Sequence, residues 1–175
     1  MLDDGPRGQN SEPLTTVLGG LPATIREVPA GQLYHLQWHR LRVEGARRAS
    51  ARTGLGRETR PSRPGAHASH PARAVIGCFV GLHMRGAAEL HEFAPGRSRK
   101  AQIMLTVESA WQGQGIGTAL MTLAVHVARE RGIDHLYLTC HALNHRTQRI
   151  AERFAAKTGF EGCEYFAEIA VQCEA

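Results

Sequence analysis

An apolar run, Ala101 to Val107, leads directly into Glu108-Ser109-Ala110-Trp111-Gln112-Gly113-Gln114-Gly115-Ile116-Gly117, and an amphipathic run from Thr118 to Arg131 follows. That order reads as strand, glycine loop, helix. The first four N–H groups of a helix have no intrahelical partner, and the aligned peptide dipoles add roughly half a positive charge at that end. A loop of this kind therefore suits a phosphate or diphosphate. Gly115 and Gly117 lack the Cβ atoms that would hold a ligand off the backbone, and both can take φ > 0.

Spacing narrows the ligand. A dinucleotide fingerprint needs G-x-G-x-x-G, and here the third glycine, Gly117, falls one residue early. A P-loop needs G-x-x-x-x-G-K-[ST], and no lysine follows Gly117. The pattern present is Gln112-x-x-Gly115-x-Gly117 within Trp111-Gln112-Gly113-x-Gly115-x-Gly117. It resembles the Q/R-x-x-G-x-G/A motif of the GNAT superfamily, the acyl-CoA-dependent N-acyltransferases, in its bacterial form. The resemblance extends over roughly Val75–Val171 and is strongest over Ala101–Phe160. It covers a strand before the motif, a long helix after it, a further strand at His135–Cys140 and a helix opened by Asn144. A bare glycine turn without a ligand would leave Gln112 and the alternating glycines without a purpose.

Length and composition agree with one domain. A chain of 175 residues can bury a full core. The net charge of +5 suits an anionic partner without identifying one, and most of it reads as a solvated arginine-rich surface. Cys78, Cys140, Cys163 and Cys173 show no C-x-x-C spacing and read as thiols of a reduced compartment. The start of the chain lacks a signal-peptide pattern, and no apolar run approaches the roughly 18 residues of a membrane span, so a cytoplasmic location is expected.

Along the chain, residues 1–20 mix Asp, Gly, Pro and Ser and read as a flexible tail before a single domain over 21–175. Ala23–Val28 alternates as a first strand. After Pro29, Leu33, Leu36, Gln37, Leu41 and Val43 recur at helical spacing, with Gly45 placed to end the helix. Residues 46–73 carry Arg47, Arg48, Arg52, Arg57, Arg60, Arg63 and Arg73 among Pro, Gly, Ser and His, and read as a loop insertion. A nucleic-acid role for this segment is disfavoured because no aromatic residue is interleaved for base stacking. Val75–His83, Ala88–Phe93 and Ala101–Val107 read as a meander, with turns at Arg85-Gly86 and Pro95-Gly96. The helix from Thr118 turns Ala119, Leu120, Leu123, Ala124, Val127 and Ala128 inward and ends at Gly132. A strand over His135–Cys140 and a helix from Asn144 or Thr147 follow, the helix with Ile150, Ala151, Phe154 and Ala155 inward. Tyr165, Ala167, Ile169 and Val171 then share one face of a last strand. The expected fold is α/β (α+β): a mixed, mostly antiparallel central sheet with helices on both faces.

The resemblance implies the chemistry. An amine acceptor attacks the thioester of acetyl-CoA directly in a ternary complex, with no metal. The pantetheine arm lies between two splayed strands, bonded to the backbone of Leu105 and Val107, and the Val107 N–H polarises the thioester carbonyl. A preorganised backbone donor of that kind is worth about 3 kcal/mol. Gln112, Gly113, Gln114, Gly115, Ile116, Gly117 and Thr118 would hold the diphosphate. Asn144 would touch the cofactor arm, besides capping its own helix.

The base and the acid depart from the pattern. Relatives with an Ala-Glu-x-x-x-x-Val strand before this loop use the Glu as general base. Aligning Ala101 and Val107 puts Gln102 there, and an amide cannot take a proton. A lysine-like amine is neutral to only about 1 part in 2,500 at pH 7, so a substitute matters. Glu89, His91 and Glu92 on the neighbouring strand are candidates, as is Glu108 through a water; otherwise the acceptor itself needs little deprotonation. The acidic Tyr found on the helix after the Asn in many members falls at Ala151 or Ala155, leaving Tyr137 and Tyr165 as distant substitutes. His141 and His145 lack a third ligand, so no metal is expected. An acyl-CoA-binding sensor without catalysis is the alternative. The acceptor is unassigned, and a homodimer stays open.

Overall fold

The computed structural model describes residues 12–52, 74–93 and 98–171. Residues 1–11, most of the arginine-rich segment (53–73) and the Pro95-Gly96 turn expectation lie outside them.

Eight strands form one sheet: β1 (Leu14–Leu18), β2 (Leu21–Glu27), β3 (Ala74–Val80), β4 (His83–Glu92), β5 (Lys100–Val107), β6 (His135–His141), β7 (Lys157–Glu161) and β8 (Glu164–Ala170). Their order is β1-β2-β3-β4-β5-β6-β8-β7, and β5 with β6 is the parallel pair in an otherwise antiparallel sheet. The helices are α1 (Tyr34–Arg52), α2 (Ile116–Glu130) and α3 (His145–Arg153).

The side-chain alternation of the strands explains the layers. Ile76, Cys78 and Val80 of β3, Ala88 and Leu90 of β4, and Ala101 and Ile103 of β5 pack with Leu120, Met121, Ala124 and Val127 of α2. Val75, Phe79, Met84 and Ala87 point to the other face and pack with Leu36 of α1. Covered on both faces, β3 is buried along its whole length. Gly86 lets α2 settle on the sheet. A Cβ there would stand 2.9 Å from Ile116 and 3.1 Å from Leu120.

Five expectations need correction. Residues 14–18 are not part of a tail. They pair with β2 through a Gly19-Gly20 turn at φ 55° and 79°, the geometry a two-residue hairpin requires. The β3–β4 turn is Gly81-Leu82, with Gly81 at φ 57°, and not Arg85-Gly86. Arg85 is instead the extra residue where the register shifts from Cys78↔Gly86 to Phe79↔Met84, a bulge within β4. α1 continues through Gly45 to Arg52, supported by Glu44 pairing with Arg47 and Arg48 at 2.7 and 3.0 Å. Its inner face is Leu36 and His39, whereas Leu41 is 64% exposed, so the helical phase differs from the expected one. Finally, α3 stops at Arg153, with Ala155 at φ 51°, and the polar strand β7 follows it.

No helix among the described residues is long and apolar enough to cross a membrane.

Candidate active site

The strand before the glycine loop is only partly paired. β5 stays on β4 from Glu92↔Ala101 to Gly86↔Val107, but it pairs with β6 only at Lys100↔His135, Ala101↔Leu136 and Gln102↔Tyr137. Beyond Gln102 the two strands part. The direction of the freed peptide groups follows from the β4 side. Phe93 N–H donates to Lys100 O at 2.9 Å, and Glu108 N–H to Arg85 O at 3.0 Å. In an antiparallel ladder bonding residues alternate, so the even residues bond β4. Ile103, Leu105 and Val107 turn their N–H and C=O toward the gap.

At the mouth of that gap lies the loop. A short 3-10 turn, Ser109–Trp111, leads to Gln112, Gly113 at φ 80° and Gly115 at φ 84°, which is the N-cap of α2. A Cβ on Gly113 or Gly115 would meet nothing within 4 Å, so these two are required by backbone conformation and leave open space. Gly117 serves packing as well, because a Cβ there would stand 2.7 Å from the tip of Ile150 on α3. Backbone bonding runs Trp111 N to Glu108 O, Gln112 N to Ser109 O, then Ala119 N to Gly115 O. Among the described residues no backbone bond uses a peptide N–H from Gly113 to Thr118 as donor. Ile116 itself is buried and anchors the helix start, so its contribution at the loop is its peptide group.

Side chains brace the loop without covering it. Gln112 Nε2 donates to Val107 O at 3.0 Å, and Arg146 of α3 donates to Gln112 Oε1. Gln114 Nε2 reaches Ala110 O at 3.5 Å. Trp111 packs against the core with the Arg85 guanidinium 5.4 Å over its ring. Asn144 caps α3, its Oδ1 accepting from Thr147 N at 3.2 Å. His141 Nδ1 accepts from Leu143 N, and His145 Nδ1 lies 3.3 Å from Gln148, so their rings have separate partners.

The even residues of β5 face α1, and there the sheet is polar. Gln102 lies opposite His91, both buried, and its Nε2 reaches Thr139 of β6 at 3.4 Å, at the root of the gap. Glu89, next along β4 on this face, is 2% exposed and bonded by Arg40, with His91 Nε2 3.6 Å away. Burial would raise the Glu89 pKa, but hydrogen bonds from His91 and Arg40 outweigh it and hold the carboxyl below its ordinary value. Glu92 alternates to the opposite face and bonds Arg99 at 2.5 Å, so it is not brought together with Gln102 and His91.

Farther toward the loop, Glu108 accepts from Arg42 Nε at 2.7 Å and Arg85 Nη1 at 2.9 Å. Burial opposes ionisation there too, and the two guanidiniums override it, keeping its pKa low. His39 of α1 is fully buried. Its Nε2 lies 2.9 Å from Thr106 Oγ1 and its Nδ1 3.5 Å from Glu108 Oε1. Burial lowers the His39 pKa, against the pull of Glu108. His39, Thr106, Arg42, Arg85 and Arg146 were not singled out by their sequence. Only His39 carried a signal, a histidine three residues after Leu36 on the inward stripe of α1. Of the tyrosines, Tyr137 donates to Glu168 at 2.9 Å and Tyr165 is buried under the other face. Among the described residues no cluster of three metal-ligating side chains occurs.

A mostly antiparallel sheet that opens at its parallel pair, with a donor-lined helix start at the mouth, is the architecture of an acyl-CoA-dependent N-acyltransferase. Residues 32–156 match the Acetyltransferase (GNAT) family, and the chain belongs to that family. It is an acyltransferase by that membership, and solved structures share its fold. The GNAT domain of PAT from S. lividans is 19% identical at a TM-score of 0.65, over 95% of this chain and 99% of that one. A GNAT-family acetyltransferase from Streptococcus pneumoniae is 14% identical at 0.60, over 83% and 96%. The putative acetyltransferase yncA from Salmonella typhimurium, solved with its cofactor acetyl-CoA, is 13% identical at 0.58, over 87% and 96%. No curated protein sequence matches the chain significantly.

Proposed function

We propose that the protein transfers an acetyl group from acetyl-CoA to an amine acceptor by direct attack in a ternary complex. The observation that carries this reading is the coincidence of two backbone surfaces without a backbone partner, the β5 edge past Gln102 and the N–H groups from Gly113 to Thr118. A strand-like amide arm fits the first and a diphosphate the second. The yncA structure, holding acetyl-CoA on the same fold, supports the pairing.

Leu105 and Val107 would bond the pantetheine amides through their backbones, and the Val107 N–H would face the oxygen that gains charge during attack. Gln112, Gly113, Gln114, Gly115, Ile116, Gly117 and Thr118 would hold the diphosphate, with Arg146 adding a cation beside Gln112. Asn144 would present its amide to the arm while its oxygen caps α3. When bound, acetyl-CoA supplies the activated acyl group. The protein orients it and excludes water, which favours the amine over hydrolysis.

Thr118→Glu tests this. A carboxylate in the first turn of a helix is favourable to the fold. It opposes the diphosphate, at about 4 kcal/mol for a like charge 4 Å away near a surface. Calorimetric titration is expected to show acetyl-CoA binding weaker by about three powers of ten with Tm preserved. Unaltered affinity would contradict the assignment of the loop, and binding without CoA release across small amines, peptides and lysine-bearing proteins would contradict the enzyme reading.

A further inference from the structure

The site lacks the carboxylate base at Gln102, and the other carboxylates near it are committed. Glu89 is held by Arg40, Glu92 faces away to Arg99, and Glu108 is bonded by both Arg42 and Arg85. Against burial, the guanidiniums, joined by His91 at Glu89, hold the Glu89 and Glu108 carboxyls below the ordinary carboxylate range, which weakens both as proton acceptors. Two imidazoles stand beside β5: His91, opposite Gln102 and paired with the Glu89 carboxylate, and His39, which is joined to a hydroxyl of β5 itself. His39 reaches Thr106 Oγ1 with Nε2 at 2.9 Å and faces Glu108 with Nδ1 at 3.5 Å.

We propose that Thr106, His39 and Glu108 form a proton relay that receives the acceptor's proton, with Thr106 Oγ1 as the group that touches the amine. This rests on the acetyl-transfer reading above. Thr106 is half-buried on the α1 face of β5, one residue from the Val107 peptide that faces the gap. His39 is fully buried and cannot touch the acceptor, so it acts only behind Thr106, as a positioning residue. Its Nδ1 lies toward the Glu108 carboxylate and the Met84 backbone. The ring therefore joins a hydroxyl on one side to a carboxylate on the other, which a simple structural tie between α1 and β5 through Nε2 would not require.

The step balances. The bound ammonium gives a proton to Thr106 Oγ1 while the hydroxyl proton passes to His39 Nε2, and the freed amine nitrogen forms its bond to the thioester carbon. The imidazolium keeps its Nδ1–H toward the Glu108 carboxylate, which offsets the new charge. The C–S bond breaks on collapse, the thiolate takes the second proton from the acceptor nitrogen to leave amide and CoA thiol, and the imidazolium returns its proton through the hydroxyl to solvent. The charged groups around His39 are Glu108 after β5 and Arg42 on its own helix, with Arg85 of β4 on the far side of Glu108. The two arginines keep Glu108 ionised, which makes it a fixed counter-charge and not a competing base.

The experiment compares wild type, Thr106→Val, Thr106→Ser and His39→Gln. It uses acetyl-CoA and an alkylamine acceptor, reading acetyl-CoA affinity, Tm and the pH dependence of kcat/KM. Thr106→Val and His39→Gln are expected to bind acetyl-CoA as wild type does and to lose about 100-fold in kcat/KM at pH 7, a usual general-base contribution. The loss should shrink as pH rises toward the acceptor's own pKa, where free amine no longer needs a base. Thr106→Ser should restore the wild-type profile, which a packing role for the Thr methyl would not. Unchanged profiles in Thr106→Val and His39→Gln, with turnover intact, overturn the relay alone. If His39→Gln does not fold, Thr106→Val carries the same decision. Wild type that binds acetyl-CoA and turns over no amine overturns the transfer reading and the relay with it.

Discussion

The two faces of β5 differ in how they are built. Toward α2 the strand presents Ala101, Ile103, Leu105 and Val107 to an apolar core, and that core seats the glycine loop. Toward α1 it presents Gln102, Met104 and Thr106, of which Gln102 meets His91 and Thr139 and Thr106 meets His39. One face fixes backbone donors by hydrophobic packing, and the other collects side chains that can move protons. The lesson is a division of labour within one strand. The aliphatic face is held by burial alone, while the other face can be buried only because its polar groups are paired.

Substitutions should separate the two faces. The largest effect is expected from Leu120→Ala, on the fully buried side of α2. The lost packing should cost about 2–5 kcal/mol and loosen the loop, so urea denaturation should show the loss and acetyl-CoA affinity should fall with it. Retained affinity would mean that the loop does not depend on the α2 core. Gly86→Ala is expected next, at about 1–3 kcal/mol by overpacking, since the added methyl meets Ile116 and Leu120 at the helix start. Asn144→Ala should remove the α3 cap for about 1 kcal/mol, a shift of a few degrees in Tm. A smaller signature belongs to the polar face. His39 has a folded pKa below its unfolded value near 6.5, so the unfolded chain binds the extra proton first. Stability is therefore expected to fall as pH drops through about 6.5, and His39→Gln should flatten that limb in a pH series of Tm measurements. An identical limb in the variant would place the titration elsewhere.

The same division decided what the sequence revealed. The strand, loop and α2 are contiguous, and the 3.6-residue stripe from Leu120 to Ala128, the glycine spacing and the Gly132 stop are all legible in the sequence. The mixed sheet with helices on both faces followed from that order. The polar face was not readable, because its members come from α1, β4 and β5 and are joined by contacts such as His39 to Thr106 that span 67 positions. No local pattern encodes such a meeting. Errors near the start of the chain have other causes. The Gly19-Gly20 hairpin leaves little trace in the sequence because Leu14–Leu18 is a largely exposed edge strand with little apolar contrast. The expected α1 phase differs from the real one because Leu33 and Leu41, apolar residues that ordinarily mark a core face, stand 38% and 64% exposed.

The direct test of the central claim is an amide NMR titration of the protein with acetyl-CoA. The N–H groups of Gly113, Gly115 and Gly117 are expected to shift downfield as the diphosphate accepts from them, and Val107 N–H to move with them as the arm fills the β5–β6 gap. Saturable binding that leaves those four amides in place while resonances elsewhere move would contradict the account.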